Sequence, residues 1–232
     1  DIAPLADQIH AVLPRSDRPV TLFGHSMGAI VAFEVARRLE ADGRPVTRLF
    51  ASGRRAPSRH RDETVHQRDD AGILEEIRRL NGTDSALIED DELMRAALPA
   101  LRADYRAIET YRGDPGATVS CPVTALVGDA DPKVTGDEAR AWAGHTTGGF
   151  DLRTFPGGHF YLVDRAGDVV EILRRHFGSL RLRGRSRATT LPGCSTIMPP
   201  RAAGAGLRAS PGQSTKIATI DRCAEGREYE SP

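Results

Sequence analysis

Apolar positions recur with two different periods along this chain, and the alternation between them sets its organisation. Leu5, Ile9 and Leu13 fall at helical spacing and predict an amphipathic helix over residues 4–13, closed by Pro14. Val20-Thr21-Leu22-Phe23 reads as a strand over 19–24. From Met27 to about Ala41 the helical period returns through Ile30, Val31, Phe33, Val35, Ala36 and Leu39. That segment is apolar on most faces near its start, as suits a helix packed deep on a sheet, and Asp42-Gly43 stops it. Arg44 to Gly53 predicts a second, parallel strand, so roughly 35 residues from the first strand onward form a strand–helix–strand unit.

Residues 54–115 interrupt the rhythm. A polar, arginine-rich connection from Arg54 to Gln67 precedes three helical patterns, at about 69–80, 90–97 and 99–112. One crossover needs one helix, so this segment is expected to be a helical lid inserted over a pocket. The alternation resumes with a strand at Pro122–Gly128, a helix at about 136–144 and a strand at 150–155. A last helix, about 164–177, is expected to bury Val169, Val170, Ile172, Leu173 and Phe177. Beyond residue 180 there are six glycines and five prolines but no sustained apolar period. The expectation is one α/β domain over 1–180 and a disordered tail over 181–232.

Composition adds little to this picture. Thirty-two basic residues balance 32 acidic ones, although residues 181–232 hold nine Lys/Arg against four Asp/Glu and leave the remainder at −5. Neither a nucleic-acid partner nor a membrane is expected, because no apolar run approaches the ~20 residues of a span. Cys121, Cys194 and Cys223 are too dispersed for a disulfide framework or a zinc site. That usage fits a reducing cytoplasm, and no cofactor is expected. The chain begins abruptly with Asp1-Ile2-Ala3-Pro4, with no signal peptide.

Chemistry is concentrated at Gly24-His25-Ser26-Met27-Gly28, placed between the first strand and the helix after it. A serine in such a turn is forced into an unfavourable backbone conformation. Its neighbours must lack bulk where strand and helix nearly touch, and Gly24 and Gly28 supply that room. Ser26 would stand at a helix N-terminus, where free N–H groups favour developing negative charge. A serine nucleophile needs a base, and the base needs a carboxylate. On an α/β sheet these follow in the order Ser, acid, His on loops at the carboxyl ends of strands. The strand ending at Gly128 runs into Asp129-Ala130-Asp131-Pro132, and the strand ending at Phe155 runs into Pro156-Gly157-Gly158-His159. Asp131 is preferred as the acid because Pro132 holds the residue before it extended. Asp129 is expected to bond the turn. His159 is the expected base, and no chemistry is assigned to the other histidines.

These residues carry a specific resemblance. Leu22 to Ala29, Ser52-Gly53-Arg54-Arg55-Ala56-Pro57, Leu98 to Tyr105, Gly128 to Pro132, Trp142 and Gly157 to Leu162 together resemble the external (type II) thioesterases of polyketide and nonribosomal peptide biosynthesis. The likeness runs from residue 1 to about 178. It implies an α/β-hydrolase fold, with a mostly parallel sheet, flanking helices and a helical lid. It also implies Ser26 as nucleophile, His159 as base and Asp131 as orienting acid. The implied reaction releases acyl or aminoacyl groups from the phosphopantetheine arm of acyl or peptidyl carrier proteins, that arm being part of the substrate. The resemblance implies that such carriers are acidic; Arg54, Arg55, Arg59 and Arg61 either offer them positive charge or form a solvated arginine-rich loop. A monomer is expected.

Members of that family begin with further strands and a His-Ala-Gly-Gly-type loop that gives one oxyanion-hole N–H. Neither precedes Asp1. The expectation is therefore a domain missing its N-terminal strands, with an uncovered edge beside the strand of Ser26. The Met27 amide, immediately after the nucleophile, remains as oxyanion donor. The chain is then an N-terminally truncated form of an active enzyme, or an inactive fragment. Another esterase of the same fold, a cyclising thioesterase fused to a synthase, and a non-catalytic carrier-binding module are the alternatives.

Overall fold

The computed structural model describes residues 1–16, 18–81, 91–186 and 217–219. The first helix, α1 (Ile2–Val12), begins two residues earlier than its apolar spacing suggests. Ile2 and Ala6 are buried in the same apolar cluster as the next helix. Strand β1 (Val20–His25), helix α2 (Met27–Ala41) and strand β2 (Val46–Ser52) form the expected unit. Of the fifteen residues of α2, eleven are buried, which is why its sequence is apolar on nearly every face. Strand β3 (Val123–Gly128) is buried along its whole length, as a central parallel strand must be. β4 (Phe150–Phe155) lies outside it, with exposed residues at Arg153 and Thr154.

The strand order is β4-β3-β2-β1, all parallel, so the chain leaves every strand at the same end. The elbow serine, Gly53-Arg54, the Asp129–Asp131 turn and the Gly157–His159 turn therefore share one edge of the sheet. A fifth strand, β5 (Ile217–Thr219), lies antiparallel on the outer edge of β1, with Leu22 opposite Thr219. Leu22, Phe23 and Gly24 are paired there, on an edge that the sequence suggests is open. The remainder of the expected tail, 187–216 and 220–232, lies outside the described residues.

Between β2 and β3 come a 3-10 turn at Val65–Gln67, α3 (Asp70–Asn81) and α4 (Asp91–Thr110). The helices expected on either side of Pro99 are one. The proline removes a single backbone donor, while a buried stripe through Met94, Leu98, Ala107 and Ile108 continues across it. Val65, Ile73 and Leu98 form a small apolar cluster of their own, joined by Leu74, Ile77, Leu101 and Tyr105. The inserted segment thus has its own core. It is fixed to the sheet by charge: Lys133 Nζ lies 2.6 Å from Glu76 of α3 and 3.1 Å from Glu63.

Two helices were expected differently. The pattern read as a helix over 136–144 is a short α5 (Gly136–Arg140), opened by a Thr135/Glu138 capping box, and a 3-10 turn at Ala141–His145. After β4 come α6 (Tyr161–Asp164) and α7 (Ala166–Ser186), so helix continues past the expected end at 177. Contacts divide the chain into two units. The first holds Asp1–Tyr161 and β5, and the second begins at Leu162. Within the second, Val169 is buried but Val170, expected inside, is half exposed.

Candidate active site

Ser26 occupies the single residue between β1 and α2, with φ 54° and ψ −123°, and it is the only non-glycine residue with positive φ among the described residues. Such strain costs about 1–3 kcal/mol and persists only where the surroundings enforce it. Here they do. The Ser26 amide donates to the Ser52 carbonyl at 2.8 Å, which continues the β1–β2 ladder one residue into the turn. The strand passes so close to α2 that a Cβ on Gly24 would stand 2.0 Å from the Gly28 carbonyl oxygen.

The acid and histidine turns are stitched together. Gly157 N–H donates to the Asp129 carboxylate at 2.9 Å, Asp129 N–H to the Phe155 carbonyl, and Ala130 N–H to the Gly157 carbonyl. Asp129 therefore secures the neighbouring turn as well as its own. Gly128 is where the two loops cross, since a Cβ there would lie 2.3 Å from the carbonyl oxygens of Gly157 and Gly158.

This scaffold brings together the three residues that lie 26, 131 and 159 positions along the chain. His159, only 2% exposed, has Nδ1 2.9 and 3.0 Å from the two Asp131 oxygens. Its Nε2 is 3.0 Å from Ser26 Oγ. A carboxylate can only accept, so Nδ1 carries the proton and Nε2 is left to accept from the serine hydroxyl. Asp131 Oδ1 accepts a further bond, 2.8 Å, from the Lys133 amide. Met27 is the first residue of α2, so its amide belongs to the turn in which helical N–H groups have no intrahelical partner.

Behind the imidazole lies a group of residues that the sequence does not single out. His25 pairs in register with Ser52 across β1 and β2, and its Nδ1 is 2.9 Å from Ser52 Oγ. Ser52 Oγ is in turn 2.7 Å from the Tyr161 hydroxyl. The His25 ring centroid stands 5.0 Å from that of His159. Burial, and secondarily repulsion from His159, push the His25 pKa down from 6.5 to about 3. A neutral His25 adds no positive charge beside the imidazole that must take up a proton.

The same shift makes a stability prediction. Between pH 6.5 and about 3 an unfolded His25 binds a proton that the folded one excludes, so stability rises with pH through that window and falls on acidification. The slope is at most about 1.4 kcal/mol per pH unit. Glu63 adds its own loss only below 4.5. Burial acts to raise its pKa, but the bonds from Arg55 and Lys133 outweigh this and hold it at about 2. Denaturation of His25→Asn should therefore depend less steeply on pH than the parent chain between about pH 6.5 and 5. Parallel pH profiles for the two proteins would contradict this account.

The remaining arginine expectation is corrected. Arg55 is 1% exposed and pairs with Glu63, and Arg54 is 7% exposed. Arg61 is held by the Glu138 carboxylate and the Pro132 carbonyl. Of the four arginines proposed to face an acidic partner, only Arg59 is exposed. Periodicity cannot foresee this, because Arg55 finds its acid in the irregular connection itself and Arg61 finds Glu138 in the helix after β3.

A family model described as a thioesterase domain matches residues 1–177. The chain is 53% identical over 170 residues to a probable cadicidin biosynthesis thioesterase of Streptomyces griseus, covering 73% of this chain and 47% of that protein. It is 52% identical over 158 residues to thioesterase PikA5 of Streptomyces venezuelae, covering 68% and 56%. The type II thioesterase BorB from the borrelidin biosynthetic cluster superposes with a TM-score of 0.72 at 51% identity, covering 76% of this chain and 73% of its own. The chain spans about half the length of the curated relatives it matches.

Proposed function

This chain belongs to the thioesterase domain family, and from that premise we propose that it hydrolyses acyl or aminoacyl thioesters held on the phosphopantetheine arm of carrier proteins. It would serve a polyketide or nonribosomal peptide synthase, the kind of pathway named for similar proteins of yersiniabactin and colibactin biosynthesis. The observation that carries the reading is the unbroken relay from Ser26 Oγ through both nitrogens of His159 to Asp131.

The steps follow from that relay. Ser26 Oγ bonds to the thioester carbonyl carbon while its proton passes to His159 Nε2. The oxyanion accepts from the Met27 amide, a donor that matters more as negative charge develops. Collapse breaks the carbon–sulfur bond, and His159 returns the proton to the departing pantetheine sulfur. His159 then takes a proton from water, which attacks the Ser26 ester, releasing the carboxylic acid and the free hydroxyl. Asp131 stabilises the imidazolium in both halves. Side chains, the Met27 amide and water carry this sequence, and no cofactor is invoked.

No helix among the described residues is long and apolar enough to cross a membrane. A cytoplasmic monomer that meets its carrier in solution is part of the same proposal. To test it, one short acyl group is presented to the purified chain on a holo carrier protein and as an N-acetylcysteamine thioester. We expect kcat/KM to be at least tenfold higher on the carrier. Equal values on both would remove the carrier protein from the proposal and leave a general thioester or ester hydrolase.

A further inference from the structure

The chain leaves the active-site edge of β2 through Gly53, where a Cβ would stand 3.4 Å from His159 Cε1. The next residue, Arg54, enters the wall of a separate cavity of about 190 Å³. Tyr111, Arg112, Ser58, Arg59 and His60 also line it, and no aspartate or glutamate does.

Arg54 is unusual among the buried charges of this protein. Arg55 has Glu63, Lys133 has Glu63 and Glu76, and Arg61 has Glu138. Arg54 has no ion pair or side-chain hydrogen bond among the described residues, and its Nε is buried without a partner. The acids that exert a favourable field on it are engaged elsewhere: Glu63 by Arg55 and Lys133, and Glu109 by the Val65 and His66 amides and the His66 ring. Burial, reinforced by repulsion from Arg55, draws the Arg54 pKa down to about 9.

An uncompensated buried guanidinium is costly, and a neighbouring oxyanion relieves that cost. The fork of a guanidinium matches the oxygens of phosphate or carboxylate. Volume and charge favour phosphate here. The cavity is several times the roughly 30 Å³ that one water occupies in the liquid. Of its other basic side chains, Arg55 is held by Glu63 from outside the lining, Arg112 donates to the Glu109 and Tyr111 carbonyls, and Arg59 is exposed. His60 faces Asp62, which lies outside the lining.

We propose that this cavity is a phosphate site anchored by Arg54, and that it takes the phosphate ester of a pantetheine arm. The second half rests on the carrier-thioester reading, in which that phosphodiester is the arm's one anionic group. The site would hold the arm at its charged end, so that the thioester end is presented to Ser26 from a fixed anchor.

Two equilibrium measurements on the purified chain test this at constant ionic strength. In the first, inorganic phosphate is titrated by calorimetry against the parent, Arg54→Gln, and the exposed-site control Arg140→Gln. Phosphate should bind the parent and the control alike, and Arg54→Gln at least tenfold more weakly. Arg54→Lys, which keeps the charge but loses the fork, should fall between and serves if the glutamine variant does not fold. In the second, bound phosphate is challenged with phosphopantetheine and with pantetheine. Only phosphopantetheine should displace it. Phosphate binding that is absent, or indifferent to Arg54, would overturn the site. Displacement by both compounds or by neither would overturn the assignment to the arm. Neither measurement needs turnover, so a chain that binds phosphopantetheine through Arg54 yet hydrolyses no thioester would leave this proposal standing and defeat the reaction proposed above.

Discussion

Ser26→Ala is expected to lower thioester hydrolysis by about 10⁵–10⁶-fold, and Asp131→Asn by about 10⁴-fold, with both variants folded. The first removes the atom that forms the acyl bond. The second is nearly isosteric, and its effect follows from the bond already made to the Lys133 amide. That amide donates to Asp131 Oδ1 at 2.8 Å. An asparagine there keeps its carbonyl oxygen toward Lys133 and turns its NH₂ toward His159 Nδ1. Nδ1 must then accept, the ring proton moves to Nε2, and Nε2 can no longer take the proton of Ser26. The defect is in tautomer and charge, so kcat should fall far more than KM rises. Turnover of an N-acetylcysteamine thioester, with circular dichroism to confirm folding, measures both variants. An asparagine variant within tenfold of the parent would mean that Asp131 does not orient the base.

Gly24→Ala should be severely damaging for the addition of one methyl. Its Cβ would lie 2.0 Å from the Gly28 carbonyl oxygen and 2.3 Å from the Gly28 carbonyl carbon. Both are backbone atoms at the start of α2, and no side chain can swing aside to make room. Strand and helix would have to separate through a buried region that includes Leu22, Ala29 and Ile30. We expect a loss above about 4 kcal/mol, or insoluble protein, in the range reserved for gross packing defects. Gly178→Ala in α7 is the control, because a Cβ there would meet nothing within 4 Å. A helical alanine at that position should stabilise by about 0.5–1 kcal/mol. Thermal denaturation of the two variants separates lost space from lost backbone freedom, and a Gly24→Ala protein melting near the parent would refute the elbow geometry.

Features that depend on near neighbours or on chain order are readable from the residues alone. The elbow is legible because Gly24, Ser26 and Gly28 are constrained by one turn. The strand and helix periods are legible where an element buries a continuous local pattern, as α2 and β3 do most fully. Parallel strands all deliver their loops to one edge. Asp131 and His159, each read at the end of a strand, therefore had to meet Ser26 there, and they do. Local rules failed where a distant partner overrides them. Pro99 ends a helix by its own preference, yet α4 runs through it because the apolar stripe packs on both sides. Arg54 and Arg55 belong to a polar stretch and suggest a charged surface. Glu138, far along the chain, holds Arg61, and the fold leaves Arg54 against a cavity. The link from His25 through Ser52 to Tyr161 joins residues 27 and 109 positions apart. The bridge from Glu76 to Lys133 likewise spans the inserted helices and the loop after β3. These pairings carry no local period. Only the folded chain decides them, because a buried charge or hydroxyl settles on whichever partner the packing places within reach.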